Sequence, residues 1–139
     1  MIFYHGSSDN LTVGTILVPR DKDYESDWKD TGFYGILEKY RPVGMIAHKD
    51  AVFMCGNDDD LDCAGGGTDY VFTLQPLGPV EKHSFNWGSD INCLSENSVK
   101  NAALIEEAAK NYWQGVPHHS EDVWEYLTTS AKILAVEEY

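Results

Sequence analysis

Basic side chains are scarce in this chain of 139 residues: ten Lys and Arg stand against 23 Asp and Glu, a formal net charge of −13. A surface of that sign repels phosphate backbones, so tight non-specific nucleic-acid binding is not expected. The charge suits a basic protein partner, or solubility alone. Cysteine is equally sparse. Cys55, Cys63 and Cys93 are odd in number and show no CxxC spacing, so neither a disulfide framework nor a zinc site is expected, and scattered thiols suit a reducing compartment. No apolar run approaches the length needed to cross a bilayer. The opening Met1-Ile2-Phe3-Tyr4-His5 has no basic stretch ahead of an apolar one, so no secretory signal is read and the expected address is cytoplasmic. Internal repeats, low-complexity tracts and Pro/Ser-rich linkers are missing too, and the length then favours a single domain over 1–139.

What is present reads as a globular chain, 42% hydrophobic, with an α+β pattern. Ile2 to His5 is a short apolar strand ended by Gly6-Ser7-Ser8. Leu11, Gly14, Leu17 and Pro19 space out a loop. Asp21–Tyr40 is polar with interleaved aromatics (Tyr24, Trp28, Phe33, Tyr34); a helix is expected late in it, stopped by Arg41-Pro42. Ala51–Met54 is a brief buried strand. Asp69–Gln75 alternates cleanly and is closed by Pro76 and Gly78-Pro79. The clearest helix spans Val99–Trp113: Val99, Ala102, Ala103, Ala109, Tyr112 and Trp113 recur at near-helical spacing. Asn97 or Ser98 caps its start, Glu106 and Lys110 pair, and Gly115-Val116-Pro117 ends it. Ala131–Val136 is a last strand.

The first strand ends in Tyr4-His5-Gly6-Ser7, and Leu11-x-x-Gly14-x-x-Leu17-x-Pro19 follows it. Together they resemble the entry motif of the ADP-ribosyltransferase superfamily. The resemblance implies a split, mixed β-sheet core with NAD, as substrate, in the cleft between its halves. It assigns His5 to a ribose hydroxyl and Gly6 to backbone contact with the nicotinamide carboxamide, which a side chain would obstruct; Ser7 lies beside them. Two further patches extend it. Val52-Phe53-Met54-Cys55 places Phe53 where the superfamily commonly stacks a Tyr on nicotinamide, and an aromatic face packs a flat cationic ring without a hydroxyl. Val123-Trp124-Glu125-Tyr126-Leu127, a short turn, then Ala131–Val136 resembles the family's catalytic Glu starting a penultimate strand, followed by a last strand.

Two acids compete for that role. Glu125 is the first choice, although Ser120-Glu121-Asp122 also reads as the capped start of a short helix. The stretch Tyr70–Glu81, with Pro76-x-Gly78-Pro79-x-Glu81, resembles the compact rifamycin-modifying branch, whose acid would fall near Glu81 or His83. Lys49, Lys39 and Arg41 are the candidates for the ADP phosphates. Minimal chains of this superfamily are often bacterial or phage effectors, so the acceptor it implies is a macromolecule, a protein by class, with the helix over 99–113 as a surface for it. Other readings stay open: an NAD glycohydrolase, a phosphotransferase on NAD-like RNA ends, or a non-catalytic binding module.

The remaining clusters point to structure. Asp58, Asp60, Asp62 and Asp69 fall at EF-hand positions, but Cys63 stands where the loop needs Gly, so a solvated acidic loop is expected and no metal. Gly65-Gly66-Gly67 reads as a flexible connection, without the strand–helix context of a dinucleotide site. His118-His119 reads as a surface turn, since adjacent side chains diverge.

Overall fold

A computed structural model describes residues 1–19, 33–65, 67, 69–119 and 121–138. Its strands are β1 (Phe3–Ser7), β2 (Ile16–Leu17), β3 (Val52–Cys55), β4 (Tyr70–Pro76), β5 (Glu81–Ser84), β6 (Trp124–Thr128) and β7 (Ala131–Glu138). Its helices are α1 (Phe33–Lys39), α2 (Phe85–Leu94) and α3 (Ala102–Trp113), with short 3-10 stretches at His48–Asp50, Asp58–Cys63 and Ser95–Asn97. The strands form one seven-stranded sheet in the order β2-β7-β4-β1-β3-β6-β5. Every pairing among the described residues is antiparallel. The expected mixed sheet is thus corrected, while the α+β class stands.

The alternation of β4 decides the main core. Phe72 and Leu74 point with Phe3, Val52, Met54, Tyr126 and Ile133 into one cluster, against which Leu11, Leu17 and Tyr70 pack. On the opposite face, Val71 joins Cys55, Leu61, Cys63 and Ala64. β4 is therefore buried on both sides near its start, at Val71 and Phe72. β7 is one-sided: Ala131 and Ile133 are buried and Lys132 and Leu134 are exposed.

A helical layer makes the remaining cluster from Leu37, Ile91, Ile105, Ala108, Ala109, Tyr112 and Trp113. The buried stripe of α3 runs Ile105, Ala108, Ala109, Tyr112, Trp113, the 3-4 spacing of one helix face. The helix starts three residues later than its pattern suggested. Val99 is 90% exposed and precedes the helix. Asn97 caps the turn ahead of it, its Oδ1 accepting from Lys100 N–H at 3.3 Å, and the N-cap Asn101 makes no side-chain cap bond. The C-terminal end is as expected. Gly115, at φ +70°, lets its own N–H reach Tyr112 O and Val116 N–H reach Asn111 O, both at 3.1 Å, the paired closure of a Schellman turn.

Three elements depart from the sequence reading. The loop 11–19 contributes β2, paired Ile16–Lys132 and Leu17–Ala131. α2 was not anticipated; with Gly88, two Asn and a Ser it has little intrinsic propensity and depends on burying Ile91 and Gly88. Residues 121–128 carry a strand and no helix, because β6 pairs on both sides, with β3 and β5. Residues 21–32 of the polar aromatic segment, and Ser120, lie outside the described residues; α1 is the late helix expected there. Among the described residues no helix is long and apolar enough to cross a membrane.

Phe72 has no exposure at the centre of this sheet. Phe72→Ala is expected to lower the free energy of unfolding by about 3–5 kcal/mol, read as a reduced midpoint in urea with an unaltered slope.

Candidate functional site

β1 pairs with β4 along its length, from Phe3–Leu74 to Ser7–Tyr70. Toward β3 its register rests on Tyr4 opposite Cys55. Beyond Tyr4 a side chain bridges the two strands: His5 Nδ1 lies 2.7 Å from Phe53 O. A carbonyl only accepts, so this nitrogen carries the proton. The ring also lies parallel to that of Phe72, centroids 6.2 Å apart. His5 thus sits at a seam in the sheet.

The seam is roofed by the glycine segment. Gly6 N–H donates to Ala64 O at 2.8 Å. A Cβ on Gly65 would collide with Gly6 O and stand 2.7 Å from the His5 ring, and one on Gly67 would strike the Ser7 backbone. Gly65-Gly66-Gly67 was read as a loose connection; its described members are instead a strap laid against β1, possible because a backbone without Cβ can approach that closely. Ser7 is turned away, its Oγ accepting Asp9 N–H at 2.9 Å.

The acids lie on the helix-covered face. Cross-strand partners share a face, so the register sets Tyr4, Cys55, Glu125 and His83 in one row over β1, β3, β6 and β5, and Phe53, Leu127 and Glu81 in another. Glu125 is 3% exposed. The Tyr112 hydroxyl, delivered by the last turn of α3, donates to its Oε1. With that proton committed, His48 Nε2–H donates to the phenol oxygen at 2.8 Å. The His48 ring meets Phe53 edge-on at 5.4 Å and Trp113 at 5.3 Å. His83 stacks on Tyr112 at 4.6 Å. Its Nδ1 bonds Tyr112 O at 2.7 Å and its Nε2 bonds Glu81 Oε1 at 3.1 Å. Both partners accept, so filling both bonds takes an imidazolium beside the Glu81 carboxylate. Glu81 Oε2 also accepts Ile46 N–H at 2.8 Å.

Burial governs the charge states. It pushes the Glu125 carboxyl up to about 7, against the opposing bond from Tyr112. It pushes His48 down to about 3, helped by the charges of His83 and Arg41. The Cys55 thiol rises to about 11 and that of Cys63 further, both chiefly by burial, so these are structural thiols and poor nucleophiles.

Both candidate acids, Glu125 and Glu81, therefore belong to one polar network, and Phe53 touches it through His48. His5 is not brought into it: its cross-strand partner is Phe72, on the face opposite the Tyr4–Cys55–Glu125–His83 row, and its Nδ1 meets only the Phe53 backbone carbonyl. Tyr112 and His48 were not singled out from the sequence. Tyr112 carried only a helical-core signal, and His48 sits in no motif. Of the phosphate candidates, Arg41 is committed to Glu38, at 2.8–3.0 Å, and to Met45 O at 2.8 Å; Lys39 lies over the Tyr40 ring at 5.2 Å, and Lys49 is exposed. Asp58, Asp60 and Asp62 lie on the Asp58–Cys63 stretch, and among the described residues no group of three or more His, Cys, Asp or Glu is placed to hold a metal ion. His118-His119 is more than a surface turn: His118 Nε2 pairs with Asp90 Oδ2 at 2.6 Å and His119 Nε2 meets Asn86 Nδ2 at 3.0 Å, clasping the loop to α2. Compared with known proteins, the chain matches no family model and no curated sequence.

Gly65→Ala, at φ +92° in the strap, is expected to cost about 1–3 kcal/mol of unfolding free energy; an unchanged urea midpoint would show that the strap does not hold β1 this closely. Glu125 supplies a second expectation. Its folded carboxyl, near 7 against an ordinary 4.5, holds its proton more tightly than in the unfolded chain. That contribution is present below pH 4.5 and is lost as pH rises through about 7. His48 acts in the opposite sense, its contribution present above 6.5 and lost as pH falls toward about 3. Glu125→Gln removes only the first. Between pH 4.5 and 7.5 the variant should gain about 3 kcal/mol relative to the parent chain, measured by denaturant unfolding at both ends of the window.

Proposed function

We propose that the chain is an NAD-dependent mono-ADP-ribosyltransferase with an ADP-ribosyltransferase-like fold. It moves ADP-ribose from NAD to an acceptor, a protein or other macromolecule, and releases nicotinamide. The observation that carries this reading is Glu125: a carboxylate buried at the helix-covered face, titrating near 7, in the same cross-strand row as Tyr4 of the Tyr4-His5-Gly6-Ser7 motif. Strongly perturbed acids of this kind gather where charge has work to do.

Cleavage of the nicotinamide–ribose bond develops oxocarbenium character, as in glycoside cleavage. An ionised Glu125 stabilises that charge, orients the ribose 2′-hydroxyl and takes the proton of the incoming nucleophile. His5 and the Gly6 backbone, with Ser7 adjacent, bind NAD at the β1/β3 seam, and Phe53 packs the nicotinamide. Glu81, held by His83 and Ile46 N–H, is the second acid. Binding has two requirements. The strap must yield Gly6 N–H, now given to Ala64 O, and Glu125 must be uncovered. The net charge of −13 favours a basic acceptor, and the setting proposed is the cytoplasm, as for a bacterial or phage effector.

A second reading, an NAD- or ADP-ribose-binding module without turnover, is favoured by the same closure: Glu125 is 3% exposed. Incubation with labelled NAD, with and without cell lysate, separates them. Labelled protein bands mean transfer, free ADP-ribose means hydrolysis, and binding without either product means a module. An absence of both binding and turnover sinks the reading. Glu125→Gln is expected to slow turnover roughly 10²–10⁴-fold with little change in NAD affinity; unaltered turnover would move the acid to Glu81.

A further inference from the structure

Tyr112 lies outside every nucleotide motif of the chain, yet its atoms reach three polar partners of the site. Its hydroxyl donates to Glu125 and accepts from His48 Nε2 at 2.8 Å, and its carbonyl accepts from His83 Nδ1 at 2.7 Å. The ring is wholly buried, stacked on His83 at 4.6 Å and edge-on to Trp113 at 5.0 Å. It sits in the last turn of α3, where Gly115 closes the helix. A ring so confined has little rotamer freedom, and Phe would fill the same volume without burying a hydroxyl. The hydroxyl is explained by what it bonds.

We propose that Tyr112 is the positioning residue of Glu125: its hydroxyl holds the carboxylate in one orientation and in its ionised form, and His48 strengthens that grip by donating to the same oxygen. The inference rests on the reading of Glu125 as the acid for its bearing on turnover; the control of Glu125 by Tyr112 is separate from it. A donor favours the charged form of a carboxyl, and a phenol oxygen that accepts a hydrogen bond becomes a better donor in turn. Without that bond the buried carboxyl keeps its proton to higher pH, and a protonated Glu125 cannot stabilise an oxocarbenium. The groups around Glu125 are Tyr112 from α3, His83 from β5, Cys55 from β3 and Cys63 from the Asp58–Cys63 stretch; His48 acts through Tyr112, with Arg41 near it. The two thiols rise, and His48 stays neutral above about 3, so none of these three changes charge with Glu125 near 7.

The test follows the carboxyl carbon of Glu125 by ¹³C NMR between pH 5 and 9 in the full chain, its resonance assigned by its loss in Glu125→Gln. Tyr112→Phe is expected to move the midpoint up by about 1–2 pH units, and His48→Phe to move it in the same direction by less. The rising limb of kcat/KM for NAD should move with the midpoint, and kcat should fall more than KM rises. A Tyr112→Phe midpoint equal to that of the parent chain overturns the proposal; if that variant does not fold, an unmoved midpoint in His48→Phe does so. A moved midpoint in a chain that consumes no NAD upholds the control of Glu125 by Tyr112 and removes the transferase reading. Turnover with an unmoved midpoint does the reverse.

Discussion

The hydrogen bond between the Tyr112 hydroxyl and the Glu125 carboxylate is the constraint around which the rest of the molecule is arranged. Removing a carboxylate from water costs several kcal/mol unless its oxygens are met. Meeting it pins the last turn of α3 against β6. That placement brings His83 under the Tyr112 ring and sets His48 between Phe53 and Trp113. From there the same logic spreads outward. Glu81 answers His83 and closes on Ile46 N–H, which ties the segment ahead of β3 to the edge strand β5. The helical cluster of α1, α2 and α3 is apolar in mass, and these polar bonds tie its α3 member to β5 and β6.

A second arrangement lies at the β1/β3 seam. β1 is firmly paired with β4 and only lightly with β3, and an imidazole spans the seam where backbone pairing would otherwise run. The strap at Gly65 and Gly67 closes this place by backbone contact alone. Strap and phenol have a common physical character. Each satisfies a buried polar group, the strap accepting Gly6 N–H through Ala64 O and the phenol donating to the Glu125 carboxyl.

The legible parts of the fold were those whose signal is local. The alternation of Tyr70, Phe72 and Leu74 placed β4 within a residue, and Gly115 marked the end of α3. The short elements were not legible. β2 has two residues and exists because β7 offers an edge to Ile16 and Leu17. α2 contains Gly88 and Asn92, poor helix formers held by what they pack against. Val99 fitted the period of α3 yet stands in solvent, since periodicity gives a direction and not a boundary. At the site, Glu125 and Glu81 were each visible as acids near strands. That they share one network was not visible, because it depends on the pairing of β5 with β6.

The sequence by itself determined the charge, the α+β class, the alternating faces of the longer strands and an opening strand at Tyr4-His5. These follow from side-chain chemistry and backbone geometry over a few neighbouring residues. The opening strand runs on through Gly6 and Ser7, where a turn was expected, because both pair with β4. Only the tertiary structure decided that Tyr112 meets His48 across 64 positions and His83 across 29, and that Glu125 is closed beneath them. A helical stripe specifies that Tyr112 points inward. What it meets there depends on strand order and register, which arise from the packing of the whole chain.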